Sequence, residues 1–443
     1  MDSAQREAIA KRVLALSDAT QTEVGVYSGS NELTRFTHNA VHQNVADADV
    51  TVKVRAIVGQ RTGVATTNVL DDASLAHVVQ RAIAMAKLAP EDPDLPQLPS
   101  GGETIAPEGA YIAQTAHATP QERAAMAGAI FKAAEDDGFW CAGFVSTSCA
   151  GITIVNSSGA CASFDGTDAG VNVKMNGADS TGFAEGYDTD VTRLDAGAIG
   201  RTSARKARDS MQPRTVEPGK WTVILEPAAF GELFTYLGDH FSAQSFDEGS
   251  SFLSDGLDKT YLGENVTILD DYAHPLAPGM PFDYEGQPTQ RLTIIENGVA
   301  KNVVTDSYWA KKLGRANTGH ALPAPNAYGP QASHLVVAPG SKPLNELVAE
   351  TERGLLVTRF WYIRTVDQRQ AIVTGMTRDG TFLIENGEIV GGVRNMRFNQ
   401  SIIEALKHCE LSNAPHRTGG YSYSVVVPAA KITGFNFSSG TDF

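Results

Sequence analysis

One stretch, WTVILEPAAFGELFTYLGDHFSAQSF (residues 221–246), offers a set of polar residues beside an apolar face: Glu232, Thr235, Tyr236, Asp239 and His240. Carboxylate and imidazole can hold a metal ion or move a proton. A solitary histidine beside an apolar face is expected to be a hydrogen-bonded structural residue, and His240 is alone on its helix. His38 and His42 stand four apart in FTHNAVHQNV, which reads as strand, so they would share a face but lack a visible third ligand. His408, Cys409 and Glu410 are adjacent, so their side chains point in different directions and form no local chelate. The serines of GSSFLS (249–254) have no base tied to them by spacing. GxGxxG, GxxxxGK[ST] and GxSxG are all absent, leaving no sign of a nucleotide loop or a nucleophile elbow.

These residues need elements to position them. Thr222–Leu225 reads as a strand and Glu226-Pro227 as the turn into a helix, since proline suits a first helical position. Phe230, Leu233, Phe234, Leu237 and Phe241 recur at three- and four-residue spacing, predicting one amphipathic helix. Upstream, strands are expected at Glu23–Tyr27, Val50–Val58 and Val64–Thr67, and helices over 72–88 (Asp72 as N-cap), 120–136 and about 192–211. A hairpin is expected from Gly151–Asn156 and Ala160–Phe164, with a separate strand at Gly170–Met175. Residues 89–102, APEDPDLPQLPSGG, read as an extended linker or excursion. Downstream, LTIIENGVAKNVV (292–304) and TFLIENGEIVGGV (381–393) each hold an Asn-Gly pair between strands, the strongest local hairpin signal. A helix-like stretch, Asp306–Gly314, and a Pro/Gly-rich loop, Gly319–Pro330, lie between them. Tyr421–Val427 and Ile432–Phe437 finish as strands. Helices and strands mix without a βαβ cadence, so the class is α+β. Two domains are expected: a mixed α/β layer domain over 1–215 and a strand-rich domain over 216–443.

Composition bounds the function. The formal charge is −15, with 36 Lys and Arg against 51 Asp and Glu. Such a surface repels phosphate backbones, and no basic patch offsets it, so nucleic-acid binding is disfavoured. No apolar run reaches the roughly 18 residues that span a bilayer. MDSAQREAIAKRVLALS reads as a polar helix, not a signal peptide, making a cytoplasmic location the expectation. Cys141, Cys149, Cys161 and Cys409 show no paired spacing and read as reduced structural thiols.

Several longer segments carry a family resemblance: TRFTHNAVHQN (34–44), VKVRAIVGQRTGVATTN (52–68), SSFLSDGL (250–257), FDYEGQPTQR (282–291), DSYWAKKLG (306–314) with Thr318-Gly319-His320, and FLIENGEIVGGVRNMRF (382–398). In order and spacing the chain resembles the TldD/PmbA family, the modulators of DNA gyrase, over nearly its whole length. The resemblance implies a two-branch family. In the TldD-like branch the helix matching residues 227–241 carries HExxxH, and a cysteine near the C-terminus supplies a third zinc ligand. On this chain those positions hold Thr235, Tyr236 and His240. A threonine hydroxyl is a poor zinc ligand and a phenol a poor base near neutral pH. The cysteine is due near 414–420, where none stands; Cys409 comes early, and His416 is the nearest potential ligand. Positions i and i+5 lie roughly 140° apart on an ideal helix, so the motif needs a bend or helix end, which Gly238 could provide.

The resemblance therefore implies the TldE/PmbA-like branch: no metal or cofactor bound by this chain, zinc expected in a TldD-like partner subunit, and an enclosed cavity that binds unfolded peptide. His240, Asp283, Glu285, His320 and Arg359 are the candidate cavity-lining residues; Asp283 and Glu285 could equally anchor the turn at Gly286. One alternative is a biosynthetic pair that cleaves or modifies a peptide-derived or small-molecule natural product. Another is a self-assembling binding protein without a partner enzyme.

Overall fold

The computed structural model describes residues 1–419 and 424–441, and the class is α+β. Six antiparallel strands make the N-terminal sheet: β1 (Gln21–Thr37), β2 (Ala40–Val58), β3 (Arg61–Thr67), β4 (Trp140–Asn156), β5 (Cys161–Asn176) and β6 (Thr181–Asp188), in the order β3-β2-β1-β4-β5-β6. Helices Ser3–Ala15, Asp72–Leu88, Pro120–Glu135 and Ala196–Asp209 cover its apolar faces, each held at its start by an aspartate or threonine cap. Asp71, one residue before the expected Asp72, caps the second of these. The fourth is preceded by a 3₁₀ turn at Val191–Arg193, making it shorter than the 192–211 expected.

Two sequence expectations for this sheet change. β5 is continuous where two strands were expected. Asp165 and Gly166 look like a break, yet they pair with Gly151 and Ala150 of β4, and Asp165 meets Arg6 at 2.8 Å. His38 and His42 do not share a strand face. His38 and Asn39 form the β1–β2 turn with φ of 49° and 56°, and Asn39 is tied to Phe139 and Cys141. The turn puts the two histidines on separate elements.

The C-terminal half builds two further sheets from β7 (Gly219–Leu225), β8 (Ile268–Asp270), β9 (Leu292–Glu296), β10 (Val299–Ala300), β11 (Leu335–Val337), β12 (Arg353–Asp367), β13 (Ile372–Glu385), β14 (Glu388–Gly392), β15 (Met396–Ser401), β16 (Cys409–Leu411), β17 (His416–Gly419), β18 (Ser424–Val427) and β19 (Ala430–Gly440). One runs β10-β9-β8-β11-β18-β17. The other runs β12-β7-β19-β15-β13-β14, and a further β12–β13 pairing closes five of its strands into a ring. Phe360, Phe398 and Phe435, with centroids 4.6–5.9 Å apart, join β12, β15 and β19 through a shared aromatic core. Both Asn-Gly pairs make the expected hairpins: Asn297-Gly298 and Asn386-Gly387 all have positive φ, as a two-residue turn matched to strand twist requires. The helix Ser307–Leu313 is capped by Asp306 and ends on left-handed Gly314. Of the expected strand 421–427, residues 424–427 form β18; 421–423 lie outside the described residues.

The two halves meet along a buried seam. Arg55 of β2 donates to Glu23 of β1 and, at 3.2 Å, to Glu285 of the C-terminal half. Residues 89–102 run between them: Asn156 donates to Pro99 and Lys311 to Leu95. Among the described residues no helix is long and apolar enough to cross a membrane.

Candidate functional site

The stretch that opened the sequence reading is two helical pieces, not one. The α-helix Pro227–Phe234 gives way to a 3₁₀ segment, Thr235–Phe241. The change falls at Thr235, whose Oγ1 donates to the Glu232 carbonyl at 2.8 Å; such back-bonding competes with the helix ladder. The helical pitch therefore changes at Thr235, three residues before Gly238. Phe230, Leu233, Phe234, Leu237 and Phe241 are nonetheless all fully buried, so the apolar stripe survives the change of pitch.

The polar positions are taken up by the protein itself. Tyr236 donates its hydroxyl to the Ile363 carbonyl at 2.8 Å, a carbonyl that Arg364 also reaches. His240 is buried, its Nδ1 accepts the Phe252 N–H at 3.3 Å, and burial lowers its pKa to about 4. His416 opens β17, on another element. Cys409 lies buried in β16, its thiol 3.6 Å from the Leu406 carbonyl and pushed up to about 11 by burial, the opposite of a thiolate ligand. A threonine hydroxyl and a phenol, both already hydrogen-bonded to backbone carbonyls, do not fit a zinc ion, and His240 supplies the one imidazole of the three positions. Among the described residues no three His, Cys, Asp or Glu side chains are grouped to hold a metal.

Beside this helix, charges from both halves converge. Glu232 accepts the Phe360 N–H at 3.1 Å, and burial, opposed by Arg359, lifts its pKa to about 7. Glu185 of β6 is also lifted to about 7 by burial, against a hydrogen bond from the Gly419 N–H and the attraction of Arg359. The two carboxylates repel one another. Arg359 lies over the Phe183 ring at 4.2 Å and donates to Asp379 at 2.6 and 2.9 Å; Lys174 reaches the other Asp379 oxygen at 3.1 Å. Lys206 pairs with Glu226 at the helix start. The ion pairs of this seam tie β5 and β12 to β13 and the helix Ala196–Asp209 to the start of the motif helix, and the carboxylates of Glu185 and Glu232 beside it are set to hold or exchange a proton near neutrality.

The other sequence candidates lie elsewhere. Asp283 anchors its turn: Oδ1 accepts the N–H groups of Glu285 (2.9 Å) and Gln287 (3.0 Å), and Oδ2 that of Ala321 (2.9 Å). Burial nevertheless pushes it well above the usual carboxylate range, with Glu285 adding to the shift. Glu285 accepts from Arg55 and from the Ser307 N–H. His320 shares a 2.9 Å hydrogen bond with Thr318, and its Nε2 is 3.3 Å from Asp270. His334 approaches the same Asp270 oxygen at 3.5 Å. Burial opposes ionisation of Asp270, but the two imidazoles outweigh it and hold the group below the ordinary range. Of the sequence candidates, only Arg359 joins the motif helix in the seam. Glu185, Asp379, Lys174, Asp270 and His334 went unmarked. The one local signal was a charge within an otherwise apolar strand, as at Lys174 in VNVKM.

Residues 218–439 match the family model for the PmbA/TldA metallopeptidase C-terminal domain, and 22–86 that for PmbA/TldA metallopeptidase domain 1. The Haemophilus influenzae metalloprotease PmbA homolog is 30% identical over 243 residues, 53% of this chain and 51% of that protein. The Saccharolobus solfataricus zinc metalloprotease TldD homolog is 26% identical over 241 residues, 51% of each. The chain thus spans about half the length of each relative. The crystal structure of TldE from Thermococcus kodakarensis superposes with a TM-score of 0.87 over 98% of this chain and all of that one, at 21% identity, which establishes a shared fold.

Proposed function

The chain belongs to the PmbA/TldD metallopeptidase family, and on that premise we propose that it is the non-catalytic, TldE-like member of a two-subunit zinc peptidase. In this reading the partner, a TldD-like subunit, supplies the zinc. This chain completes the enclosed cavity and holds unfolded peptide, in the cytoplasm and without nucleic acid.

One observation carries the reading. At the three positions where the resemblance places two zinc histidines and a glutamate base, Thr235 and Tyr236 are hydrogen-bonded to backbone carbonyls and His240 is buried against Phe252. Only His240 offers a zinc-ligating atom, and a single imidazole without a second ligand or a carboxylate base does not make the site. Without a metal to polarise a carbonyl or activate water, the principal chemistry of a metallopeptidase has no origin in this helix. What the helix retains is a packed apolar face and the seam beside it, which suit a scaffold. Strand edges of the C-terminal half would bind substrate backbone by strand addition.

Metal analysis of the purified chain, then peptidase assays with and without a TldD-like zinc subunit, tests this. Substoichiometric zinc and activity only in the mixture are expected. Stoichiometric zinc together with hydrolysis by the isolated chain would overturn the proposal.

A further inference from the structure

A cleft of about 610 Å³ opens where the two halves meet, away from the 3₁₀ segment that carries His240. One wall is the turn from β5 into β6, including Lys174, Asp179 and Ser180. The other is β13, including Arg378, Asp379 and Thr381. On this wall β13 passes from its pairing with β15 (372–376) to that with β14 (382–385), and residues 378–381 line the cleft between them while β12 runs along the other edge.

Two independent features of this cleft ask for a ligand. The first is charge. Buried Asp379 is approached by three cations: Arg359 at 2.6 Å, Lys174 at 3.1 Å and Arg378 at 3.8 Å. Arg359 is also attracted by Glu185 and Glu232, but of the charges lining the cleft Lys174, Arg378 and Arg394 outnumber Asp179 and Asp379, so the spot is cationic in a chain of net charge −15. Lys174 and Arg378 keep 28% and 33% of their side-chain surface exposed, so both remain reachable, and Arg378 is braced over the Trp361 ring at 4.6 Å. The second is unmet hydrogen bonding. Ser180 and Thr381, 5% and 2% exposed, line the cleft, and their hydroxyl oxygens lack a hydrogen-bond partner. Buried hydroxyls are normally satisfied, so two on facing walls mark a place where a polar group belongs.

We propose that this cleft is a binding site for a carboxylate, the C-terminal carboxylate of a short peptide. Lys174 and Arg378 carry the charge-assisted hydrogen bonds, and the Ser180 and Thr381 hydroxyls complete the pocket. Its volume lies in the range that encloses small ligands, so it accommodates a short peptide end. The choice of a peptide as the carrier rests on the function proposed above; the carboxylate site does not, because every residue in it belongs to this chain.

Fluorescence anisotropy on the isolated chain tests it without partner or zinc, and so separately from the subunit proposal. The probe is tetra-alanine labelled with fluorescein at its N-terminus, as the free acid and as the C-terminal amide. The free acid is expected to bind about tenfold or more tighter, the usual worth of a hydrogen-bonded charge. Arg378→Gln and Lys174→Gln, each checked for an unchanged melting profile, should each abolish that preference, whereas Arg369→Gln, on a distant surface, should keep it. Equal binding of acid and amide overturns the proposal, as does retention of the preference in both folded variants. Displacement by free succinate or inorganic phosphate as readily as by unlabelled tetra-alanine overturns the assignment to a peptide.

Discussion

Glu232 and Glu185 pull the pH dependence of stability one way and His240 pulls it the other. The carboxylates have an ordinary value of 4.5 in the unfolded chain and about 7 when folded. Between those values the folded state keeps protons the unfolded chain has released. Their contribution is therefore full below about pH 4.5 and lost as pH rises through about 7. His240 runs the other way, from 6.5 unfolded to about 4 folded; its contribution is present above pH 6.5 and lost as pH falls through about 4. Glu232→Gln removes one carboxylate from this balance. Urea unfolding at pH 5 and pH 8 should show the variant losing less stability across that range than the parent, by about 2 kcal/mol. An unchanged pH slope would mean that Glu232 is ionised and solvated, contrary to its burial beside Phe360.

At the scale of elements, the N-terminal sheet depends on close backbone contact with its helices. Gly63 of β3 lies against the helix Asp72–Leu88 so tightly that a Cβ there would stand 2.2 Å from the Ala82 carbonyl oxygen and the Ala86 nitrogen. Both are backbone atoms, so no rotamer change relieves the clash. Gly63→Ala should cost about 1–3 kcal/mol in urea unfolding, because the helix must lift from the strand and Val78, Val79 and Ala82 lose contacts. A neutral outcome would show that the helix shifts without losing its packing. The change of pitch at Thr235 belongs to the same scale. A continuous helix and a 3₁₀ turn can bury the same apolar stripe, and a local side-chain hydrogen bond selects between them.

At the scale of the molecule, the halves are joined by a small apolar cluster and by charge. The three large core clusters each belong to one half, Phe282 packs with Ile154 and Ala162 across the seam, and Arg55 joins Glu23 to Glu285. Arg55→Met would strand two buried carboxylates, and the protein should lose about 3–5 kcal/mol. Limited proteolysis supplies the spatial readout: cleavage within 89–102 should accelerate, since that segment is held between the two halves. Lost stability with unchanged cleavage would place the effect inside the N-terminal sheet alone.

Much of this was legible from short spans of sequence, because the forces that set it act between near neighbours. The Asn-Gly hairpins, the proline that starts the motif helix and the helical stretch 306–314 are all of this kind. The β1–β2 turn at His38-Asn39, the unbroken β5 and the break at Thr235 were not, since each depends on what a distant strand or carbonyl offers. Glu232 and Arg359 stood out in the sequence, but their joining with Glu185, Asp379 and Lys174 did not. Those three read as ordinary surface charges until β6 is laid against β13 and β17. A carboxylate's pKa is set by how much water is removed and which opposite charge replaces it, and only tertiary packing decides both.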